Sequence, residues 1–134
     1  MKNKIKQSKT SNFPVGDFLT RLKNSALAGQ KSFQVKNTKL IKSVALKLKS
    51  ERYLTEVKEE KGELFITISI VSKKPVLINV KSVSKPGLRI YMDVDEIEKK
   101  RGPSIFIIST SKGIKTDKEA IKESLGGEVI AEIW

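Results

Sequence analysis

The chain has 134 residues, 38% of them apolar and 31% charged, and its 27 Lys/Arg against 15 Asp/Glu give a formal net charge of +12. That length fits one domain or two very small ones with a modest core. Cysteine and histidine are both absent, which excludes disulfides, thiolate or imidazole metal sites and every nucleophile–histidine pairing.

The charge is uneven. Residues 1–50 hold twelve Lys/Arg and a single acid, Asp17, whereas residues 51–134 hold fifteen Lys/Arg and fourteen acids. Such asymmetry points to a polyanionic partner, with nucleic acid ahead of an anionic membrane surface. The start, Met1–Lys6, is basic like the first segment of a signal peptide, but no long apolar segment follows. No apolar run approaches the length of a membrane helix, so a cytoplasmic protein without a membrane partner is expected.

Residues 1–11 are rich in Lys, Ser and Thr and read as a flexible basic arm. Pro14 suits the first turn of a helix. Val15, Phe18, Leu19, Leu22 and Ala26 follow at helical spacing, up to a stop at Gly29. Ser32–Lys36 alternates Phe33 and Val35 with polar residues, as a short strand does. Asn37 or Thr38 can cap a second helix with the apolar face Ile41, Val44, Ala45 and Leu48. Lys39, Lys42, Lys47 and Lys49 lie mostly off that face. With few acids nearby in sequence to pair with them, the helix is expected to face phosphate. Tyr53–Lys58 and Glu63–Ser72 read as strands around the turn Glu59–Gly62. This order makes a compact α+β unit over residues 12–73.

Lys73-Lys74-Pro75 breaks the pattern and is the expected boundary with a second unit, residues 74–134. Val76–Val83 and Leu88–Met92 are expected strands about a type II turn at Pro86-Gly87. Asp93–Gly102 is a charged loop or a short helix. Ile105–Ile108 is a buried strand. Thr116 and Glu119 form a capping box that opens a helix from Asp117 to Leu125, stopped by Gly126-Gly127. Glu128–Trp134 alternates and closes the chain as a strand, with Glu128, Ile130 and Glu132 on one face. The expected fold class is α+β. The first domain is a helix–strand–helix–strand–strand unit, and the second is a mostly antiparallel sheet with one short helix.

Function is most concentrated in Ser109-Thr110-Ser111-Lys112-Gly113, expected on a strand-to-helix connection. Short hydroxyl side chains suit base edges and ribose 2′-hydroxyls approached closely. Lys112 adds a point charge for phosphate, Gly113 lets the backbone come near, and the following helix start favours phosphate too. The same composition also describes a hydrophilic turn that satisfies its own backbone. Tyr91 either stacks on a base or belongs to the core. Arg89 and Lys85 either reach phosphate or stay solvated. Enzyme readings fail: the nucleotide-binding frame around Ser111-Lys112-Gly113 is missing. Asp93, Asp95, Glu96 and Glu98 lack a ligand pattern. No catalytic residue, metal or cofactor is expected.

Three stretches resemble signatures of the small-subunit ribosomal protein family numbered eight. They are Ser82-Val83-Ser84-Lys85-Pro86-Gly87-Leu88-Arg89-Ile90-Tyr91, Ile108-Ser109-Thr110-Ser111-Lys112-Gly113-Ile114-Lys115-Thr116-Asp117, and Gly126-Gly127-Glu128-Val129-Ile130. The opening Pro14–Asn24 is similar to the family's first helix, and Thr38-Lys39-Leu40 leads into its second. The resemblance runs in order from about residue 13 to the end.

It implies two α+β domains with a tight interface and no enzymatic activity. It also implies a primary 16S-type rRNA binder that seats in the central domain of the small subunit and helps assemble its platform. In the family the Ser-Thr-Ser loop meets unpaired bases and sugars, and the first domain meets the RNA backbone. Carried over residue by residue, the RNA-binding set is Ser109, Thr110, Ser111, Lys112, Gly113 and Thr116, with Lys85, Arg89 and Tyr91, and Lys31, Lys39 and Lys42 from the basic half. The implied partners are the 16S rRNA central domain and neighbouring small-subunit proteins, the chain being a monomer when free. Some members also bind their own operon's mRNA, so a translational repressor is the alternative. The chain departs from the family at Phe13 (usually an acid), at Ser82 (usually arginine), at Gly102-Pro103-Ser104 and at Ala131. The Ser82 departure puts one backbone contact in doubt, and the extra lysines of the arm are expected to compensate.

Overall fold

Apolar spacing builds the first half as expected. A computed structural model describes residues 13–77 and 79–134; the expected arm over residues 1–11 lies outside them. Helix α1, Pro14–Ala28, begins without a side-chain cap on Phe13. The Phe13 ring instead lies over Gly16, where a Cβ would sit 2.2 Å from it, so packing stands in for the missing cap. Gly29, at φ 74°, ends the helix in the left-handed conformation. Helix α2, Lys39–Ser50, is capped by Thr38, whose Oγ1 accepts from the Ile41 N–H at 3.1 Å. Asn37 serves elsewhere, donating from Nδ2 to Glu59 Oε2 at 2.5 Å.

Strands β1 (Ser32–Lys36), β2 (Leu54–Glu60) and β3 (Glu63–Ile68) form an antiparallel sheet in the order β1-β3-β2. Leu64, Ile66 and Ile68 are buried on one face, while Phe65 stays exposed on the other. The expected strand to Ser72 is shorter. It breaks at Ser69, and Ile70–Val71 (β4) folds back on Lys74–Pro75 (β5) around Ser72 and Lys73, both at positive φ. The expected boundary at residue 73 therefore falls inside a tight hairpin.

The second half forms a five-stranded antiparallel sheet from β6 (Val80–Ser82), β7 (Tyr91–Met92), β8 (Ile105–Thr110), β9 (Gly113–Thr116) and β10 (Gly127–Ile133). The order is β9-β8-β10-β6, with β7 also on β10, beyond the end of β6. The strands β6 and β7 are shorter than the apolar runs that announced them. Asp93–Gly102 contains a short helix, α3 (Val94–Glu98), opened by an Asp93/Glu96 capping box. Helix α4 (Asp117–Lys122) stops before the expected Leu125, because Ser124 turns left-handed at φ 56°.

The largest correction concerns the hydroxyl-rich segment. It is a β-hairpin rather than a strand-to-helix connection. Strand β8 runs on through Ser109 and Thr110, Ser111-Lys112 turns, and Gly113 starts β9 opposite Thr110. The expected strand stopped at Ile108 because apolarity stops there. Backbone pairing continues, since Ser109 and Thr110 lie at the solvated end of the sheet.

Alternation along β8 assigns the two faces of this sheet. Ile107 joins a cluster with Phe18, Leu22, Leu48, Ile66 and Ile133, so α1 and α2 pack on that face, α1 beside β6 and α2 beside β9. Ile108 joins Ile97, Ala120 and Val129 on the opposite face, under α3 and α4. Two ion pairs brace the helices: Lys47 of α2 meets Glu119 of α4 at 2.9 Å and ties the two helical layers, and within the α3/α4 layer the half-buried Lys100 meets Asp117 at 3.1 Å.

Burial opposes ionisation of Glu119. The Thr116 N–H and the Lys47 ammonium, aided by Lys115, outweigh it and hold the carboxyl below the usual value of 4.5. A depressed carboxylate stabilises the fold above its unfolded pKa and loses that contribution as pH falls through the folded value. Thermal stability should therefore drop on acidification below about pH 4.5, and Glu119→Gln should lower stability at neutral pH while flattening that acid limb. Truncating Ile107→Ala, where both halves meet, should cost about 2–5 kcal/mol in urea unfolding.

Candidate nucleic-acid interface

Strand register, rather than sequence proximity, assembles the site. Tyr91 of β7 pairs with Glu128 of β10, Glu128 with Ser109 of β8, and Ser109 with Ile114 of β9. Directly opposed residues on antiparallel strands point to the same face with Cβ atoms about 4.5–5.5 Å apart. Tyr91, Glu128 and Ser109 thus form a row across three strands. By alternation from Ile107, that row is on the face where α1 and α2 pack. The polar row and the basic half share one side of the sheet.

Glu128 is the residue that sequence reasoning missed. Simple alternation places it with Glu132. A register shift between Val129 and Ala131 inserts Ile130 as an extra residue. Glu128 therefore faces the α1/α2 side with Ser109, whereas Glu132, opposite Phe106, faces the other way. The Glu128 carboxylate holds Arg89 at 3.2 Å, which brings a second residue of the Ser82–Tyr91 signature to the row.

That signature is held from inside. Ser84 is buried; its Oγ accepts from the Ile90 N–H at 2.9 Å and donates to the Ile90 carbonyl at 3.4 Å. Lys85 and Leu88 exchange backbone hydrogen bonds at 3.0 and 2.9 Å, and Gly87 takes φ 82° between them, the positive value the expected turn needs at that position. Lys85 and Arg89 are exposed, and Tyr91 is 66% exposed. The core alternative for Tyr91 is thereby set aside.

The hairpin divides its hydroxyls between two tasks. Thr110 Oγ1 accepts from the Lys112 N–H at 3.1 Å and donates to the Gly113 carbonyl at 2.8 Å. It locks the turn. The hydroxyls of Ser109 and Ser111 have no such partner among the described residues, and Ser111, Lys112 and Gly113 are exposed. Gly113 adopts φ 105°, a conformation that disfavours any side chain. Thr116 is a correction. It is only 3% exposed, its hydroxyl accepts from the Glu119 N–H and its own N–H donates to Glu119. It is a buried cap and does not reach the surface. The short α4 that it opens offers no free start to a phosphate.

Gly126 and Gly127 are needed for space. A Cβ on Gly127 would lie 2.2 Å from the Ser109 carbonyl oxygen, and one on Gly126 would lie 2.6 Å from that of Met92. Bare backbone lets β10 enter between β7 and β8 and sets the spacing of the row.

The first-half lysines separate into two groups. Lys31 and Lys39 are exposed, and neither pairs with a carboxylate among the described residues. Lys42 meets Glu59 at 2.8 Å, and that hydrogen bond and charge hold the Glu59 carboxyl below its usual value. Lys47 is taken by Glu119. The expectation that α2 lacks acidic partners is corrected for these two, because Glu59 and Glu119 arrive from distant parts of the chain. No three acidic side chains converge on a metal position among the described residues, and Asp93 and Glu96 are occupied in their capping box.

Residues 14–134 match the family described as ribosomal protein S8. The small ribosomal subunit protein uS8 of Nitratidesulfovibrio vulgaris strain DP4 is 40% identical over 122 residues, 90% of this chain and 97% of that protein. The same-named protein of Caldanaerobacter subterraneus subsp. tengcongensis is 42% identical over 127 residues, 90% and 96% of the two chains. That of Nostoc punctiforme is 40% identical over 131 residues, 92% and 98%.

The spacing of the row yields one structural test. Gly127→Ala should destabilise the fold by about 1–3 kcal/mol through overpacking against Ser109, read as a lower urea midpoint with an unchanged slope.

Proposed function

The chain belongs to the ribosomal protein S8 family, and from that premise we propose that it is a small-subunit ribosomal protein that binds 16S-type rRNA directly, in the central domain, and helps build the platform. It is a structural protein rather than an enzyme, at work in the cytoplasm within the ribosome. The observation that carries the RNA reading is the Tyr91–Glu128–Ser109 row beside the exposed Ser111-Lys112 turn, on the side of the sheet that bears the basic half.

Each group has a task that RNA supplies. An exposed tyrosine stacks on an unpaired base. The Ser109 and Ser111 hydroxyls reach base edges or ribose 2′-hydroxyls, which double as donors and acceptors. The Glu128 carboxylate accepts from an exocyclic amino group or a ribose hydroxyl. The exposed Lys85, Arg89 and Lys112 take phosphates, while Lys31 and Lys39 extend the charge over the first half. Lys42, already paired, contributes less. On this reading the two halves divide the work, residues 12–73 holding backbone and residues 74–134 choosing the position. Neighbouring subunit proteins complete the assembly, and the free chain is a monomer. An operon mRNA folded like the rRNA site would meet the same residues, so the leader's fold, rather than this surface, decides whether the chain also represses.

Binding to naked small-subunit rRNA and to its central-domain fragment tests the proposal. Ser109→Ala and Ser111→Ala should each weaken binding by about 1–3 kcal/mol and relax the choice of position. Tyr91→Ala should lose roughly 1–3 kcal/mol of stacking. Thr110→Ala should act mainly on hairpin order. Lys39→Gln should flatten the log–log salt slope by about 0.7–0.9 without changing the footprint, and Lys42→Gln by less. Parental affinity and footprint in the Ser109, Ser111 and Tyr91 variants would remove this surface from RNA recognition.

A further inference from the structure

Strand β1 has a partner on one side only, β3. The Ile68 N–H donates to the Lys31 carbonyl and the Asn37 N–H to the Gly62 carbonyl, so Lys31, Phe33, Val35 and Asn37 spend their backbone groups on the β3 side. Those of Ser32, Gln34 and Lys36 point off the sheet. Among the described residues only the Gln34 carbonyl finds a donor there, Arg21 Nη1 at 3.1 Å. This edge forms one wall of a groove of about 530 Å3, and Pro14, Asp17, Phe18 and Arg21 of α1 form the other. The groove suits a polypeptide. Its cations, Arg21 and Lys36, are matched by Asp17 and Glu63, so it holds no surplus charge for phosphate. A row of outward N–H and C=O groups is what an added strand pairs with, and Phe18 and Val35 offer apolar surface for one of its side chains.

Topology names the occupant. Strands β1 and β2 are both antiparallel to β3, so they are parallel to each other, and α2 crosses between them. Helix α1 lies on the same face: Phe18 and Leu22 share a cluster with Ile41 and Leu48 of α2 and with Leu64 and Ile66 of β3. Only residues 29–31 join α1 to β1. The helix therefore runs back along the strand, and its start, with Pro14 in the groove, lies towards the Lys36 end. The chain ahead of Phe13 enters α1 there. A strand laid from that point along the edge runs parallel to β1, with α1 as its crossover. The steps from this strand to β1 and from β1 to β2 go the same way across the sheet with their helices on one face. The two crossovers thus share one hand, as the right-handed rule requires.

We propose that residues 4–8 of this chain, Lys4-Ile5-Lys6-Gln7-Ser8, occupy the groove as a fourth strand of the first sheet, parallel to β1 on its open edge. The segment matches β1 in length, and residues 9–13 form a connection within the usual range of about 2–6 residues before a helix. Alternation turns Ile5 to the side of Phe18 and Val35, and Lys4, Lys6 and Ser8 to the opposite face. Lysines on an outermost strand guard it against further pairing. Arg21 yields the Gln34 carbonyl to the new strand and swings to Asp17, one turn earlier on α1. Being tethered to α1, the segment reaches this edge as an intramolecular ligand, ahead of any free peptide. The proposal concerns the first sheet and stands apart from the RNA reading of the second.

Amide hydrogen exchange of the full chain, followed residue by residue by NMR, tests the fourth strand. The Ser32, Gln34 and Lys36 amides should be protected in the free protein. Ile5→Asp/Gln7→Pro should speed their exchange by about ten-fold or more and leave the Phe33 and Val35 amides, bonded to β3, unchanged. Those two amides report that the sheet itself has kept its fold. Sedimentation should show a monomer at every concentration used. Equal exchange of the three edge amides in parent and variant would overturn the proposal. Protection that rises with protein concentration alongside a dimer would also overturn it, by giving the groove to the segment of a second copy.

Discussion

One extra residue in one strand decides what this sheet presents. The bulge at Ile130 rotates the start of β10 relative to its end, so Glu128 faces the α1/α2 side while Glu132 faces α3 and α4. Without it, the strand's period of two would turn the Glu128 carboxylate towards the apolar side occupied by Ile108, Ile97 and Ala120. An unpaired carboxylate there would be forced to take a proton or unfold its surroundings. With it, Tyr91, Glu128 and Ser109 line up, Arg89 gains its partner, and the polar row emerges beside the basic half. Gly126 and Gly127 complete the constraint by letting β10 pass close to the Met92 and Ser109 carbonyls.

The cations of this chain divide by whether the fold neutralises them. Lys47 and Lys115 reach acids in another layer and Lys100 reaches Asp117 within the α3/α4 layer, and the side chains of the Lys100–Asp117 pair are among the least exposed charges of the described residues. Such pairs hold registers between elements and contribute little to the outer field. Lys23, Lys31, Lys39, Lys81, Lys85 and Lys112 lack such partners among the described residues, and the long-range field that draws a polyanion comes from groups like these. The overall surplus of +12 is thus less informative than its distribution between these two groups.

Much of the fold was legible from the residues. Both long helices, a cap at Asn37 or Thr38 and the Gly29 stop followed from periodicity and capping chemistry, because those signals are local; the structure selects Thr38. The order helix–strand–helix–strand–strand followed for the same reason. What stayed hidden depends on pairing between distant residues. The Ser109–Gly113 hairpin escaped because Thr110 and Gly113 pair where apolarity has already ended. The Glu128 orientation escaped because a bulge leaves no mark in an alternating pattern. The neutralisation of Lys42 and Lys47 escaped because Glu59 and Glu119 are remote in sequence. The Thr116 hydroxyl was recognised as a cap and also carried over as an RNA contact; burial allows only the first. For the candidate site, the resemblance named the segments around Tyr91, Ser109 and Glu128, and register shows how they adjoin.

The Thr110 lock has a consequence of its own. With its hydroxyl bridging the Lys112 N–H and the Gly113 carbonyl, the hairpin has its final shape before any ligand arrives. Little conformational freedom is then lost on the protein side of an encounter. On the proposed RNA-binding role, whatever adjustment an encounter demands falls on the transcript. The hairpin then acts as a rigid gauge: an RNA that has already reached the matching shape fits it at once, and one still sampling alternatives must fold first.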